Sequence, residues 1–209
     1  MTVATTALPT RPRLALRAAL AAATAGLLLG TGRPAAAQDL PARPARWELL
    51  VSSGRLLPTG AQRASIERGG VTAAQVSFVP GPVAVVATLG WARSRDVASE
   101  AHPRLDAFFY DLGAEVRTPR VRLAGTSLGL FGGAGVGARS YDYRRLEADA
   151  THNLAGFISA GGEVGRGRAR LRLEVRDYLT GFRPLDGQGS TATRNDLVLM
   201  AGLRLAPRR

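Results

Sequence analysis

The chain has 209 residues, no cysteine, and 28 basic against 16 acidic residues, for a formal net charge of +12. The lack of cysteine excludes a disulfide framework, a thiolate metal site and a lipid-modified N-terminal cysteine. The basic residues are all arginine, spread out and interleaved with acids; no recognition helix or aromatic stacking motif accompanies them, so the expected partner is an anionic lipid surface and not nucleic acid.

Residues 1–37 read as a cleaved signal peptide. Arg11, Arg13 and Arg17 form a positive start, Ala18 to Gly30 is an apolar run, and Ala35-Ala36-Ala37 fits a small-residue cleavage site before Gln38. This is the three-part layout of an export signal, and the apolar run is well short of the ~20 residues that a spanning helix needs. Cleavage leaves 172 residues with 24 Arg and 16 Asp+Glu, a net charge of +8. That length suits one domain. Residues 38–46 are Pro-rich and read as a short periplasmic leader, with a barrel domain over 47–209.

In chain order the pattern predicts eight strands. Trp47 to Ser53 is the first, followed by a long Gly-rich loop over 54–70. Val71 to Val79 and Val83 to Ala92 flank the Pro80-Gly81-Pro82 turn, where two prolines cannot donate ladder hydrogen bonds. A charged loop over 93–104 leads to the fourth strand, Leu105 to Val116, and Arg117 to Arg120 reads as a turn. The fifth strand covers Leu128 to Tyr143, with a start as early as Val121. A charged loop over 144–152 precedes Asn153 to Val164. The turn Gly165 to Arg168 leads into Ala169 to Thr180. A loop over 182–194 then leads to the last strand, Asn195 to Leu205. Most segments are about ten residues long, enough for a tilted strand to cross a bilayer. Long and short connections alternate, as in barrels with short periplasmic turns and longer external loops. No sustained period near 3.6 supports helices.

Period two separates the faces. In Ala169 to Leu179, Leu171, Leu173 and Val175 oppose Arg170, Arg172, Glu174, Arg176 and Tyr178. In the last segment Leu197, Leu199, Ala201, Leu203 and Leu205 oppose Asp196, Val198, Met200, Gly202 and Arg204. Successive strand side chains point to opposite faces. In an exported chain of this kind the apolar face is expected to meet lipid, with charge inside. The predicted interior holds Glu48, Glu115, Glu163, Glu174 and Asp196 beside Arg139, Arg170, Arg172, Arg176 and Arg204. An eight-stranded interior is just wide enough for side chains to fill it, and an unpaired buried charge costs several kcal/mol. A plugged core of paired charges is therefore expected. Trp47, Trp91 and Tyr178 sit at strand ends and suit interfacial aromatic belts.

Two other features suggest chemistry only weakly. Gly132 to Ala138 matches a relaxed dinucleotide fingerprint, but strand-like Arg139 to Tyr143 follows where a helix is required. It reads instead as a glycine-rich strand leaving room for bulky lumen neighbours such as arginine. The histidines, His102 and His152, fall in predicted external loops. Ser140 and Asp149 lie near His152, without spacing that defines a triad, and no spacing defines a metal site. No catalytic, cofactor-binding or metal residues are assigned. Arg93, Arg95, Arg144, Arg145 and Arg183 sit at or in loops, where they could meet lipopolysaccharide phosphates.

The export signal, the eight alternating segments, GLFGGAGVGARSYDY (Gly129 to Tyr143) and the closing RLEVRDY…RNDLVLMAGLRL together resemble the small outer-membrane β-barrel proteins of the OmpA/OmpX-type eight-stranded class. The resemblance covers Trp47 to Leu205. It implies an all-β, antiparallel, up-and-down transmembrane barrel, inserted by the barrel-assembly machinery, monomeric, and surrounded by outer-membrane lipid and lipopolysaccharide. Members usually end on an aromatic residue; this chain ends its last strand on Leu203-Arg204-Leu205, followed by Ala206 to Arg209. The expected role is structural or surface-interacting and non-enzymatic. Alternatives are a narrow passive pore, a soluble periplasmic lipocalin-like barrel with an apolar interior, and a lipid-modifying enzyme.

Overall fold

The computed structural model describes residues 45–144, 151–182 and 192–206. The proposed signal peptide and nearly all of the leader lie outside the described residues. Among the described residues nine strands form in chain order: β1 (Arg46–Thr59), β2 (Gly69–Val79), β3 (Val83–Arg95), β4 (Arg104–Arg117), a short β5 (Val121–Leu123), β6 (Thr126–Tyr143), β7 (Thr151–Arg166), β8 (Ala169–Phe182) and β9 (Ala192–Leu205). Every neighbouring pair is antiparallel, β1 pairs with β9, and β4 pairs with β6. Eight strands therefore close on themselves, which leaves no barrel edge and satisfies the ladder internally. β5 is an addition: it folds back on the start of β6 through Ala124-Gly125, both with positive φ, as a two-residue hairpin turn requires.

The strands run longer than their apolar pattern. β1 continues through Gly54 and Pro58 to Thr59, because β9 supplies partners up to Asn195. β7 begins at Thr151, so His152 belongs to a strand and not to a loop. The predicted turn at Arg117 to Arg120 is replaced by the end of β4, a three-residue link and the β5 hairpin, and the alternative start of the fifth strand at Val121 is split off as β5.

Face assignment follows the alternation. Leu49 and Val51 in β1, Leu112 and Val116 in β4, Ile158 in β7, Leu171 and Leu173 in β8, and Leu199 and Leu203 in β9 all point outward and are exposed. A lipocalin-like arrangement would bury these side chains; here they form an apolar outer wall of the kind a bilayer covers. Inside, the wall changes character with height. Toward the turns and chain ends it carries charges. Toward the long loops it carries one apolar cluster, including Leu56, Val71, Ala73, Leu105, Phe109, Tyr141, Phe157 and Tyr178. The glycine run of β6 serves this packing: a Cβ on Gly135 would come within 2.6 Å of the Phe157 ring. The bulky neighbour there is a phenyl ring, where arginine was expected.

The loops finish the enclosure on that side. The connection after β1 contains a 3-10 helix (Gly60–Ala64) and then bridges to the β3–β4 connection at Ile66 and Asp96. Ile66 joins the interior cluster, and Tyr143 donates a 2.6 Å hydrogen bond to Asp96. Ile66 and Gln62 are both buried.

Candidate lumen charge network

All ten predicted interior charges are buried: Glu48, Glu115, Arg139, Glu163, Arg170, Arg172, Glu174, Arg176, Asp196 and Arg204. The strand period places them. Arg170, Arg172, Glu174 and Arg176 alternate along β8 and project inward together. β9 brings Arg204 beside Arg170, and β1 brings Glu48 to the same end of the barrel.

Arg172 is the hub. Its Nε donates to Glu174 at 2.9 Å, Nη1 to Glu163 at 3.0 Å and Nη2 to Glu115 at 2.5 Å. Its guanidinium also lies 3.3 Å above the centre of the Phe131 ring. Arg204 adds contacts from Nη1 to Glu163 at 2.8 Å and to Glu48 at 3.1 Å. Arg176 continues the chain of charges, at 2.7 Å from Glu174 and 2.9 Å from Asp111. Charge-assisted fork contacts of this kind are short and directional, and arginine suits them because its donors are rigidly planar. Removing one partner would strand the others in a low-dielectric interior.

The structure splits the ten residues into two groups. Glu48, Glu115, Glu163, Arg170, Arg172, Glu174, Arg176 and Arg204 form one connected network. Arg139 and Asp196 form a separate pair at 3.1 Å, nearer the loops, with Arg139 4.0 Å above the Tyr178 ring.

Four participants were not in the predicted set. Arg117, assigned to a turn, ends β4 and lies 2.6 Å from both Glu48 and Glu115. Asp111 shares the inward face of β4 with Glu115, so its parity was a usable signal. Arg46 and Arg120 reach the network from the turn-side rim, at 2.9 Å from Glu48 and 4.0 Å from Glu163.

Tyr178 is also corrected. It is fully buried inside the barrel and donates to Asp111, so it is not part of an interfacial belt. The outward aromatics include Trp47 with Phe78 at the turn side (5.0 Å between rings), Trp91 stacked with Phe108 at the loop side (6.5 Å), and Tyr110 in β4. Arg93 lies 4.0 Å above Trp91. On the outer face near the loops, the Oγ of Ser140 and the Nδ1 of His152 are 2.7 Å apart across the β6–β7 ladder. Asp149, Arg145 and Arg183 lie outside the described residues. His102 is exposed in the β3–β4 connection.

A closed eight-stranded barrel, apolar outside and ion-paired within, is the architecture of the small outer-membrane β-barrel class. A solved structure of that class supports the fold. The chain superposes on Neisserial surface protein A with a TM-score of 0.52 at 11% identity, covering 78% of this chain and 99% of that one. The N-terminal β-barrel domain of Pseudomonas aeruginosa OprF also matches, with a TM-score of 0.46 and 11% identity over 77% of this chain and 98% of that domain. No family model and no curated protein matches the sequence. The resemblance is therefore one of fold, carried by alternation and closure with few shared residues.

Proposed function

We propose that the chain is exported through its signal peptide and acts as a sealed, non-enzymatic outer-membrane barrel. Its interior is a structural brace, and its long loops face outward as the surface that meets the environment. The observation that carries this reading is the ion-paired layer centred on Arg172 and Arg204. It ties β1, β4, β7, β8 and β9 together across the lumen. The apolar loop-side cluster with Ile66 supports the same reading, because a solute would have to displace both layers. The barrel-assembly machinery inserts such a chain, and a monomer suffices because closure leaves no edge to pair. Arg93 above Trp91, and Arg144 on Asp106 at 2.5 Å, stand on the loop side, where lipopolysaccharide phosphates would meet them. Planar-bilayer recording tests the seal. The expected record is flat, and large, stable conductance steps would establish the passive-pore alternative.

A second reading, lipid modification, has one observation behind it. A serine hydroxyl in contact with an imidazole is the first element of a nucleophile–base pair, and buried Ser140 with exposed His152 supplies it on the outward side of β6 and β7. Lipid A mass spectra on overexpression and deletion separate the two readings. Unchanged spectra are expected for the structural barrel, whereas a lost acyl chain that returns with Ser140→Ala would favour the enzyme.

A further inference from the structure

The turn-side mouth of the barrel carries more positive charge than its carboxylates balance. Arg46, Arg117, Arg120, Arg170, Arg172 and Arg204 converge there on four carboxylates, Glu48, Glu115, Glu163 and, through Arg172, Glu174. Glu48 alone contacts Arg46, Arg117, Arg170 and Arg204. The hydrogen-bond count points the same way. Among the described residues, Arg170 Nε and Nη1, Arg117 Nη2, and Arg204 Nε and Nη2 are buried donors without an acceptor. Arg170 is 8% exposed; its nearest carboxylate oxygen, on Glu48, is 3.7 Å from Nη1. Buried polar groups are normally satisfied, and a surplus of buried cations is costly until an anion joins them. At the rim, Arg46 and Arg120 keep 37% and 30% of their side chains exposed, so an anion arriving from solvent would meet them first. Burial, followed by the like charges of Arg170 and Arg46, holds the Arg120 guanidinium below its ordinary range.

We propose that this mouth is a binding site for a phosphate-class oxyanion, met by Arg46 and Arg120 at the rim and held with them by Arg117 and Arg170 behind. An oxyanion fits better than a halide because guanidinium forks present paired N–H donors that match two oxygens at once. In an outer-membrane barrel the short turns face the periplasm. The phosphate can then come from free solute or from the headgroup of an inner-leaflet phospholipid beside the rim. The site does not depend on whether the barrel conducts, so its failure would leave the sealed-barrel reading standing.

The test uses the mature protein refolded in phosphate-free detergent micelles. Thermal unfolding is followed while sodium phosphate is exchanged for sodium chloride at constant ionic strength. Phosphate should raise the melting temperature in a saturable way that chloride does not reproduce. Arg170→Gln and Arg120→Gln should each raise the half-saturating phosphate concentration about tenfold or more, equivalent to ~1.4 kcal/mol. Arg168→Gln, an exposed turn residue outside the cluster, should leave it unchanged. Adding short-chain phosphatidylglycerol decides the source. Saturation at lower concentration than inorganic phosphate assigns a lipid headgroup, and weaker saturation assigns free phosphate. Equal responses of the unmutated protein to phosphate and chloride would overturn the site without recourse to any variant. An unaltered phosphate response in both Arg120→Gln and Arg170→Gln would do so as well.

Discussion

The two ends of the barrel interior fill the same cylinder by different chemistry. Toward the turns, arginines and glutamates interlock around Arg172 and Arg204. Toward the loops, Phe109, Phe157, Tyr141 and Tyr178 pack with aliphatic side chains, and Arg139 with Asp196 is the charge pair set among them. Trimming an aliphatic or phenyl side chain of the apolar half costs packing alone. The charged half loses compensation for every partner of the missing group. Tyr178 joins the two halves. Its ring stacks obliquely on Phe109 and Phe157 at 5.9 and 5.6 Å, while its hydroxyl bonds Asp111 and accepts from Arg176 at 3.0 Å.

This contrast can be broken deliberately. Arg172→Leu should do most damage, because Glu115, Glu163 and Glu174 each lose a guanidinium at once and are left to Arg117, Arg204 and Arg176. A loss of about 3–5 kcal/mol in urea unfolding is expected, and a loss under 1 kcal/mol would mean that the network does not brace the barrel. Leu173→Arg, one residue along and on the opposite face, should cost ~2–4 kcal/mol if it meets hydrocarbon near the midplane. Equal tolerance of charge at Leu173 and of leucine at Arg172 would contradict the assigned faces of β8. Tyr178→Phe keeps the ring packing and removes only the hydroxyl, leaving Asp111 with Arg176. A smaller loss of about 1–2 kcal/mol is expected. A Tyr178→Phe effect matching that of Arg172→Leu would erase the difference between the two ends.

The eight long strands and their inward parity were legible because period-two alternation survives wherever one face meets lipid and the other meets charge. The ten interior charges were found by parity alone, which says which face a residue takes and nothing about its partner. The split of Arg139 and Asp196 from the rest therefore appears only with strand register. Strand ends were less legible. Gly54 and Pro58 look like loop residues, yet β9 holds that stretch in the ladder. Arg117 looks like a turn residue because Pro119 follows it, yet its pairing with Phe131 keeps it in β4. Tyr178 carried two conflicting signals, an interfacial position near a strand end and a lumen-facing parity; parity decided, since a one-residue shift would have turned Arg176 out as well. Ser140 stood near His152 in the sequence, but His152 was read as a loop residue; their contact appears only once β7 begins at Thr151 and the β6–β7 register sets the two side by side.

The most direct test of the closed, lipid-facing barrel is heat modifiability. Outer-membrane fractions containing the protein are run unheated and boiled on a mild-SDS gel. A closed barrel with a braced interior resists SDS, so the unheated band should migrate apart from the boiled one and should be found in the membrane fraction. A single band position before and after boiling, with the protein recovered from the soluble periplasm, would contradict the account.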